Sequence, residues 1–361
     1  MGRKYNFYAG PSTLPVPVLE RIRDQIVDTQ GQGLSMIETS HRGGMYEAVH
    51  NEAIELLRGL LGVPGDRKVL FLGGGATLQF AMVPMNLMGN GGSCDYVLSG
   101  AWAKKAAADA RLFGTVRAAY DGAASNFTSL PQASSVRAPA GSSYLHLTSN
   151  ETIGGVQWKE FPEAGPVPLV ADMSSDILSR RIPAERFGLI YAGAQKNLGP
   201  AGLTVVIVAE DLLQRSPKDL PAYLSYRIHA EENSLYNTPP VFSVWVLGLM
   251  LKWTQEQGGL AAVQRRNEEK AALIYRAIDA SGGFYRSPID PAVRSTMNVV
   301  FRLPSEELEK KFVAESEKAG MLGLKGHRSV GGCRASLYNG MPLEGARALA
   351  ALMREFAARN G

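Results

Sequence analysis

The chain has 361 residues, of which 45% are hydrophobic and 20% are charged, so disordered and fibrous proteins are excluded and one large core plus a second domain is possible. The formal net charge of +4 comes from scattered lysines and arginines, which argues against nucleic acid as a partner and leaves small anions possible. Two cysteines exclude a disulfide scaffold and lack metal-ligand spacing, so we expect a reducing cytoplasm and no metal.

Strand-like apolar runs alternate with helical patterns through the first two thirds of the chain. The predicted strands cover residues 69–72, 95–99, 116–120, 144–148, 168–172, 189–192 and 203–209. The predicted helices cover residues 45–62, 101–114, 244–259 and 260–283. This alternation predicts a mostly parallel, seven-stranded sheet with helices on both faces. The longest apolar run, VFSVWVLGLML, is about half as long as a membrane helix must be, and the start MGRKYNFYAG has no signal core, so we expect no membrane association.

The pattern of predicted strands and helices changes in the last hundred residues. They contain a strand at 297–303, a helix at 305–320, a strand at 333–339 and a final helix after Pro342. We therefore predict an α/β protein with a large domain and a smaller C-terminal α/β domain. The predicted divisions are an N-terminal arm at 1–15, the large domain at 16–255 and the small domain at 256–361.

A glycine-rich turn, FLGGGATLQF, follows the first predicted strand and opens a helix. Free backbone N–H groups at Gly75, Ala76 and Thr77 would point outward there, and such a helix start can bind an anion. The turn matches neither the Walker P-loop nor GxGxxG. Taken alone, it is compatible with a phosphate site or with a plain tight turn.

Three further side chains are expected at the carboxyl edge of the sheet, where such sheets place their ligands. Asp172 ends an apolar strand, Lys196 lies in the turn AGAQKNLGPAG between two strands, and Trp102 opens a helix after a third. Asp172 alone could cap a turn, and Trp102 alone could be a core aromatic. A buried lysine, however, must be paired, deprotonated or covalently used. Together with the phosphate turn, the set suits a flat, phosphorylated ring that forms an imine, namely pyridoxal phosphate.

The chain also resembles a known family, the phosphoserine aminotransferases, which are fold-type-I enzymes that use pyridoxal phosphate. The resemblance runs from YNFYAGPSTLP near the start to HRSVGGCRASLYNGMP near the end. Its motifs occur in family order and spacing: SHR (40–42), GGGATLQF (73–80), ADMSSD (171–176), AGAQKNLGPAG (192–202), YNTPP (236–240) and KGHRSVGGCRAS (325–336).

The resemblance implies a role for each cofactor residue. Lys196 would hold the cofactor as a Schiff base and then move the substrate proton as general base and acid. Asp172 would face the pyridine nitrogen, Trp102 would stack on the ring, and Thr152 would bond near the 3-oxygen. The phosphate would be bound by Ala76, Thr77 and Gln195, and by Asn237 and Thr238 from a partner subunit, so the resemblance implies a homodimer.

The resemblance also implies the substrates, which are phosphoserine, glutamate and their 2-oxo acids. Arg334 would bind the α-carboxylate as a fork. The distal phosphate or carboxylate would be bound by His41, Arg42, His327 and Arg328, some of them from the other subunit. Trp102 would also line the substrate pocket. We therefore expect a reversible ping-pong phosphoserine aminotransferase of L-serine biosynthesis, with pyridoxine biosynthesis as a further possibility.

Two features depart from the family pattern. Gly43 and Gly44 follow SHR, where the family often has a Ser-Lys pair, so a basic contact is missing and the loop gains mobility. The phosphate turn also lacks an arginine that some members carry.

Three alternatives stay open: another class-V aminotransferase, a desulfurase, and a non-catalytic phosphate-ligand or nucleotide-binding protein. A desulfurase needs a cysteine on a mobile loop, whereas Cys333 is predicted in a strand and Cys94 just before one.

Overall fold

A computed structural model describes residues 2–89 and 91–361 of the chain. The strands are β1 (Tyr5–Asn6), β2 (Arg67–Leu72), β3 (Ser93–Leu98), β4 (Thr115–Asp121), β5 (Leu145–Thr148), β6 (Leu169–Asp172), β7 (Phe187–Gly193), β8 (Thr204–Ala209), β9 (Asn298–Phe301), β10 (Met321–Leu322) and β11 (Cys333–Ser336). The helices are α1 (Val16–Gln25), α2 (Gly44–Leu61), α3 (Gly75–Leu87), α4 (Ala101–Ala110), α5 (Glu210–Leu213), α6 (Tyr226–Glu231), α7 (Val241–Glu256), α8 (Gly259–Asp279), α9 (Glu306–Lys318) and α10 (Leu343–Asn360).

The seven predicted strands form one sheet in the order β2-β8-β7-β6-β5-β3-β4. Strand β8 runs antiparallel to both of its neighbours, and the other pairs are parallel. The prediction of a mostly parallel sheet is therefore confirmed. Strands β5, β6 and β8 are buried along their whole length, because separate apolar clusters cover the two faces of the sheet.

The strand register brings the carboxyl ends of several strands to one edge. Thr204 lies beside Leu72 of β2 and Gly193 of β7, and Thr148 at the end of β5 lies beside Asp172 at the end of β6. The glycine-rich turn, the turn after β7 and the start of α4 therefore open on the same side. This edge is where doubly wound sheets bind ligands.

The C-terminal part of the chain has its own apolar cluster, which includes Ile274, Phe312 and Met353. Strands β9 and β11 pair antiparallel there. The N-terminal strand β1 pairs with β10, and Phe7 enters the same cluster. Helix α7 ends at Glu256, but a domain boundary at that point stays a prediction, as does a separate N-terminal arm, whose first residue, Met1, lies outside the described residues.

The sequence missed several elements. Helix α1 and the short strands β1 and β10 were not predicted, and β3 begins at Ser93, so Cys94 lies inside the strand and not before it. Both cysteines are free and buried. Within the described ranges, no helix is long and apolar enough to cross a bilayer.

Candidate active site

The turn that carries Lys196 follows β7 directly and is held by its own backbone. The N–H groups of Leu198 and Gly199 both donate to the carbonyl oxygen of Ala194, at 3.1 and 2.9 Å. Asn197 fixes the turn to its surroundings, because its side-chain amide donates to the Ile177 carbonyl at 2.7 Å and accepts from the Asn339 N–H at 2.9 Å. Lys196 therefore projects from a backbone that has few ways to move.

The Lys196 amine lies among the polar groups that the sequence predicted at this edge. Its Nζ donates to Thr152 Oγ1 at 2.6 Å and lies 5.5 Å from the centre of the Trp102 ring. Burial lowers the pKa of Lys196, and the negative charges of Asp172 and Glu151 oppose that shift. A lysine with a depressed pKa has a larger fraction of neutral, nucleophilic amine at neutral pH.

Asp172 is the last residue of β6 and is 5% exposed. Its Oδ1 accepts hydrogen bonds from the N–H and the hydroxyl of Ser174, at 2.9 and 2.6 Å. Among the described residues, Oδ2 has no such partner. Burial raises the pKa of Asp172, whereas the charge of Lys196 and the bonds from Ser174 favour the carboxylate. One carboxylate oxygen is thus held in place while the other is available to a ligand.

The backbone at Trp102 is held by a buried carboxylate, Glu151, which was not predicted from the sequence. Glu151 is completely buried, and its side-chain oxygens accept from the backbone N–H groups of Trp102 and Ala103 at 3.1 and 3.0 Å. Glu151 thereby caps the start of α4, where a negative charge is favoured. Burial raises the pKa of Glu151 to about 7, although the two N–H bonds act to lower it. Gly100 leaves room for this carboxylate, since a Cβ there would lie 2.5 Å from Glu151 Cδ.

The glycine-rich turn leads into α3, as predicted. Gly74 precedes the helix with φ of 83°, a conformation that favours glycine. Among the described residues, the N–H groups of Gly75, Ala76 and Thr77 have no hydrogen-bond acceptor, so they are available to an anion. Tyr223, which was not predicted, reaches the turn and accepts from the Gly73 N–H at 3.2 Å.

Arg334 lies on β11 and reaches the same place from the C-terminal part of the chain. Its Nη1 donates to the Thr152 carbonyl oxygen at 3.2 Å, and its buried Nε has no partner among the described residues. Thr152 therefore contacts both Lys196 and Arg334. His327, Ser329 and Arg334 line a cavity of about 530 Å³ between the start of α4 and the loop before β11.

The remaining predicted residues are not brought together within one chain. His41 and Arg42 lie in the turn before α2, and the contact found for Arg42 is a bond from its N–H to Ser40 Oγ at 3.3 Å. Asn237 and Thr238 are exposed in the segment before α7. Gln195 is next to Lys196, and its side chain lies against Gly193.

The groups present fit pyridoxal phosphate. Unpartnered N–H groups at a helix start suit its phosphate, an amine of lowered pKa suits its aldehyde, and a buried carboxylate with one free oxygen suits its ring nitrogen. The indole of Trp102 lies beside the amine as an aromatic surface for the ring. No cluster of histidine, cysteine and carboxylate side chains suitable for a metal occurs in the described part of the chain.

Comparison with known proteins agrees with this geometry. The family model for class-V aminotransferases matches residues 4–349. The phosphoserine aminotransferase of Niallia circulans is 55% identical, over 99% of both chains. Among solved structures, a phosphoserine aminotransferase from Bacillus circulans subsp. alkalophilus superposes with a TM-score of 0.98 at 55% identity, over 99% of each chain. The PLP-bound phosphoserine aminotransferase of Trichomonas vaginalis has a TM-score of 0.92 at 39% identity, over 98% of this chain and 100% of that one.

These matches cover the sheet, the Lys196 turn and the C-terminal cluster in a single alignment of nearly full length. The chain therefore belongs to the class-V aminotransferase family and, within it, to the phosphoserine aminotransferases.

Proposed function

We propose that this protein interconverts phosphoserine and 2-oxoglutarate with 3-phosphohydroxypyruvate and glutamate, using pyridoxal phosphate, as a step of L-serine synthesis. The observation that carries the proposal is the position of Lys196 Nζ, within hydrogen-bond distance of Thr152 and beside Trp102 and Asp172. The relatives that bear the name phosphoserine aminotransferase at 50–55% identity support the same assignment.

The cofactor, when bound, supplies an electron sink for the bond that breaks at the substrate α-carbon. Lys196 would hold its aldehyde carbon and, once displaced by the substrate amine, would carry the α-proton as base and then acid. Asp172 would keep a proton at the ring nitrogen through its free Oδ2. Thr152 would bond to the ring oxygen, and Trp102 would cover one ring face and help to exclude water.

The cofactor phosphate would be bound by the N–H groups of Ala76 and Thr77, with Gln195 beside them. We further propose that Asn237 and Thr238 of a second subunit complete this site in a homodimer. Their exposure supports the proposal, and among the described residues the side-chain hydrogen bond found for Asn237 goes to the Thr238 carbonyl and not to the phosphate turn.

Substrate anions would be bound by the cations at the cleft. Arg334 would bind the α-carboxylate, since its guanidinium is already anchored by Thr152. His327 and Arg328 would face the distal phosphate or carboxylate, joined by His41 and Arg42, some from the partner subunit.

The buried state of both cysteines speaks against a desulfurase and supports a reducing, cytoplasmic location.

A visible spectrum of the purified protein tests the proposal. Adding phosphoserine should bleach the visible band of the lysine-bound cofactor, and 2-oxoglutarate should restore it. If another amino acid bleaches the band and phosphoserine does not, the substrate assignment is wrong and a different class-V aminotransferase is favoured. If the protein binds no pyridoxal phosphate, the non-catalytic alternative gains support.

Glu151→Ala is expected to weaken the binding of pyridoxal phosphate by about tenfold. Loss of a helix cap costs roughly 1 kcal/mol, and freeing the N–H groups of Trp102 and Ala103 adds to that cost. Titration of the apoprotein with pyridoxal phosphate, followed by its visible band, measures the change. Glu151→Gln should fall between wild type and Glu151→Ala, because an amide oxygen can still accept one of the two bonds.

The control is Glu355→Ala, which removes an exposed carboxylate from α10. It should leave cofactor affinity at the wild-type value. Equal affinities in wild type and Glu151→Ala would contradict the role given to this carboxylate.

A further inference from the structure

Several positively charged side chains lie in or next to the cavity between the start of α4 and the loop before β11. Arg334 and Arg328 form no salt bridge among the described residues, in contrast to Arg302 of the same wall, which pairs with Glu309 at 2.7 Å. His327 directly precedes Arg328 in sequence and lines the same cavity as Arg334. An uncompensated group of cations favours a ligand with more than one negative charge.

The loop sets the hydrogen-bonding role of His327. The Ser329 N–H donates to His327 Nδ1 at 3.2 Å, so a neutral ring carries its proton on Nε2, which can donate to a ligand. Burial lowers the pKa of His327, and the positive charges of Arg334, Arg328 and Lys105 lower it further. His327 therefore offers a donor, while most of the positive charge belongs to its neighbours.

Lys105 is a charge beside the cleft, close enough for it to lower the pKa of His327, whereas the lysine that lines the cavity itself is Lys104. Lys105 lies on α4, three residues after Trp102, and its Nζ is 4.4 Å from the centre of the Trp102 ring. Among the described residues, lysine salt bridges form at Lys68 and Lys252, and Lys105 has none. Its place near the start of α4 brings it no gain from the helix dipole, which favours anions there.

We propose that Lys105 is a specificity residue that, with His327 and Arg328 in the loop before β11, selects a substrate ending in a phosphate dianion over one ending in a carboxylate. The Trp102 ring holds the ammonium close by through a cation–π contact. The distal anion would then join α4 to the loop before β11. Lys105 would thus supply a basic contact of the kind that Gly43 and Gly44 leave out. The inference rests on the proposed function, because it specifies how that site recognises phosphoserine.

Charge sets the size of the expected effect. A phosphate carries nearly twice the charge of a carboxylate, so its attraction to one ammonium is about twice as large in free energy. We expect Lys105→Met to lower kcat/KM by about tenfold for phosphoserine and by about threefold for glutamate, since free energies convert exponentially. The difference should shrink at high ionic strength, because the site is partly exposed.

The two half-reactions are measured separately, by following the visible band with phosphoserine or with glutamate as the only amino donor. Lys105→Met places an uncharged side chain of similar length beside Trp102, whereas Lys105→Arg keeps the charge and should retain the preference for phosphoserine. Arg111→Met is the matched control, because it removes an exposed positive charge just after α4. It should leave both half-reactions unchanged.

Three results would overturn the assignment. They are equal losses for both substrates in Lys105→Met, the same selective loss in Arg111→Met, or a lowered affinity for pyridoxal phosphate in Lys105→Met, which would make Lys105 a support for Trp102 only. If wild type itself fails to react with phosphoserine, the proposed function is rejected and this inference with it. If wild type reacts and Lys105→Met behaves identically, only the inference fails.

Discussion

Lys196→Ala is expected to abolish transamination, with kcat lowered by at least about four orders of magnitude. General acid–base catalysis by one group contributes roughly 10² to 10⁴ in rate, and this side chain would also bind the cofactor. Among the described residues, Lys196 is the lysine whose amine lies within hydrogen-bond distance of Thr152, so no second amine is placed to replace it. Steady-state assays with phosphoserine and 2-oxoglutarate measure the loss, and the visible band should disappear with it.

The protein should still fold, since the substitution removes one side-chain hydrogen bond and leaves the backbone bonds of the turn in place. Lys310→Ala, at an exposed position on α9, is the control and should retain full activity. A Lys196→Ala variant that kept both its colour and its turnover would contradict the proposed mechanism. If wild type bound a phosphate ligand without any visible band, and Lys196→Ala bound that ligand equally well, the non-catalytic alternative would be favoured.

Asp172→Asn is expected to lower kcat by about three orders of magnitude with little change in stability. The amide has the same shape and can still accept from Ser174, but it cannot hold a proton at the ring nitrogen. Loss of one preorganised electrostatic contact to the reacting group costs roughly 10² to 10³ in kcat, which sets the expected size of the effect. Single-turnover rates with phosphoserine measure the chemical step directly.

Ser174→Ala provides a graded comparison. It removes the hydroxyl bond to Asp172 and the acceptor of the Gly193 N–H, and it keeps the backbone bond to Asp172, so the pKa of Asp172 should rise and activity should fall by about tenfold. Because loss of this bond stabilises the protonated acid, the deficit should be largest at low pH and should diminish as pH rises. A pH-independent loss in Ser174→Ala would argue against this electrostatic link.

Much of the fold could be predicted because its signals are local. The seven strands of the large sheet are short apolar runs bounded by turns, and each was placed within a few residues of its observed position. Strands β1 and β10 could not be predicted, since each has two residues and their pairing joins positions more than 300 residues apart. Helix α1 has only 10 residues and begins at Val16 between Pro15 and Pro17, and prolines at such spacing are typical of a loop.

The site residues also fall into those that the sequence predicts and those that it does not. Lys196, Asp172 and Trp102 could be expected at one edge because each lies at or shortly after the carboxyl end of a parallel strand. Glu151 was overlooked because its partners, the N–H groups of α4, lie about fifty residues earlier in the chain. One signal for Glu151 was present in the sequence: in the pattern SNETIGG, this acidic residue directly precedes the predicted Thr152. The roles expected for Asn237 and Thr238, and for some of the His-Arg pairs, rest on the proposed second subunit, which one chain does not contain.

The start of the chain connects two parts of the protein that the sheet does not join. Asn6 is paired in β1 with β10, and six residues later the Ser12 N–H donates to the Gln195 carbonyl at 2.9 Å, while the Ser12 hydroxyl donates to the carbonyl of Lys196. Six residues span at most about 20 Å when fully extended. The N-terminal segment therefore sets an upper limit on how far the β1–β10 pair can separate from the lysine turn, and any larger opening of the cleft would first have to break the bonds of Ser12.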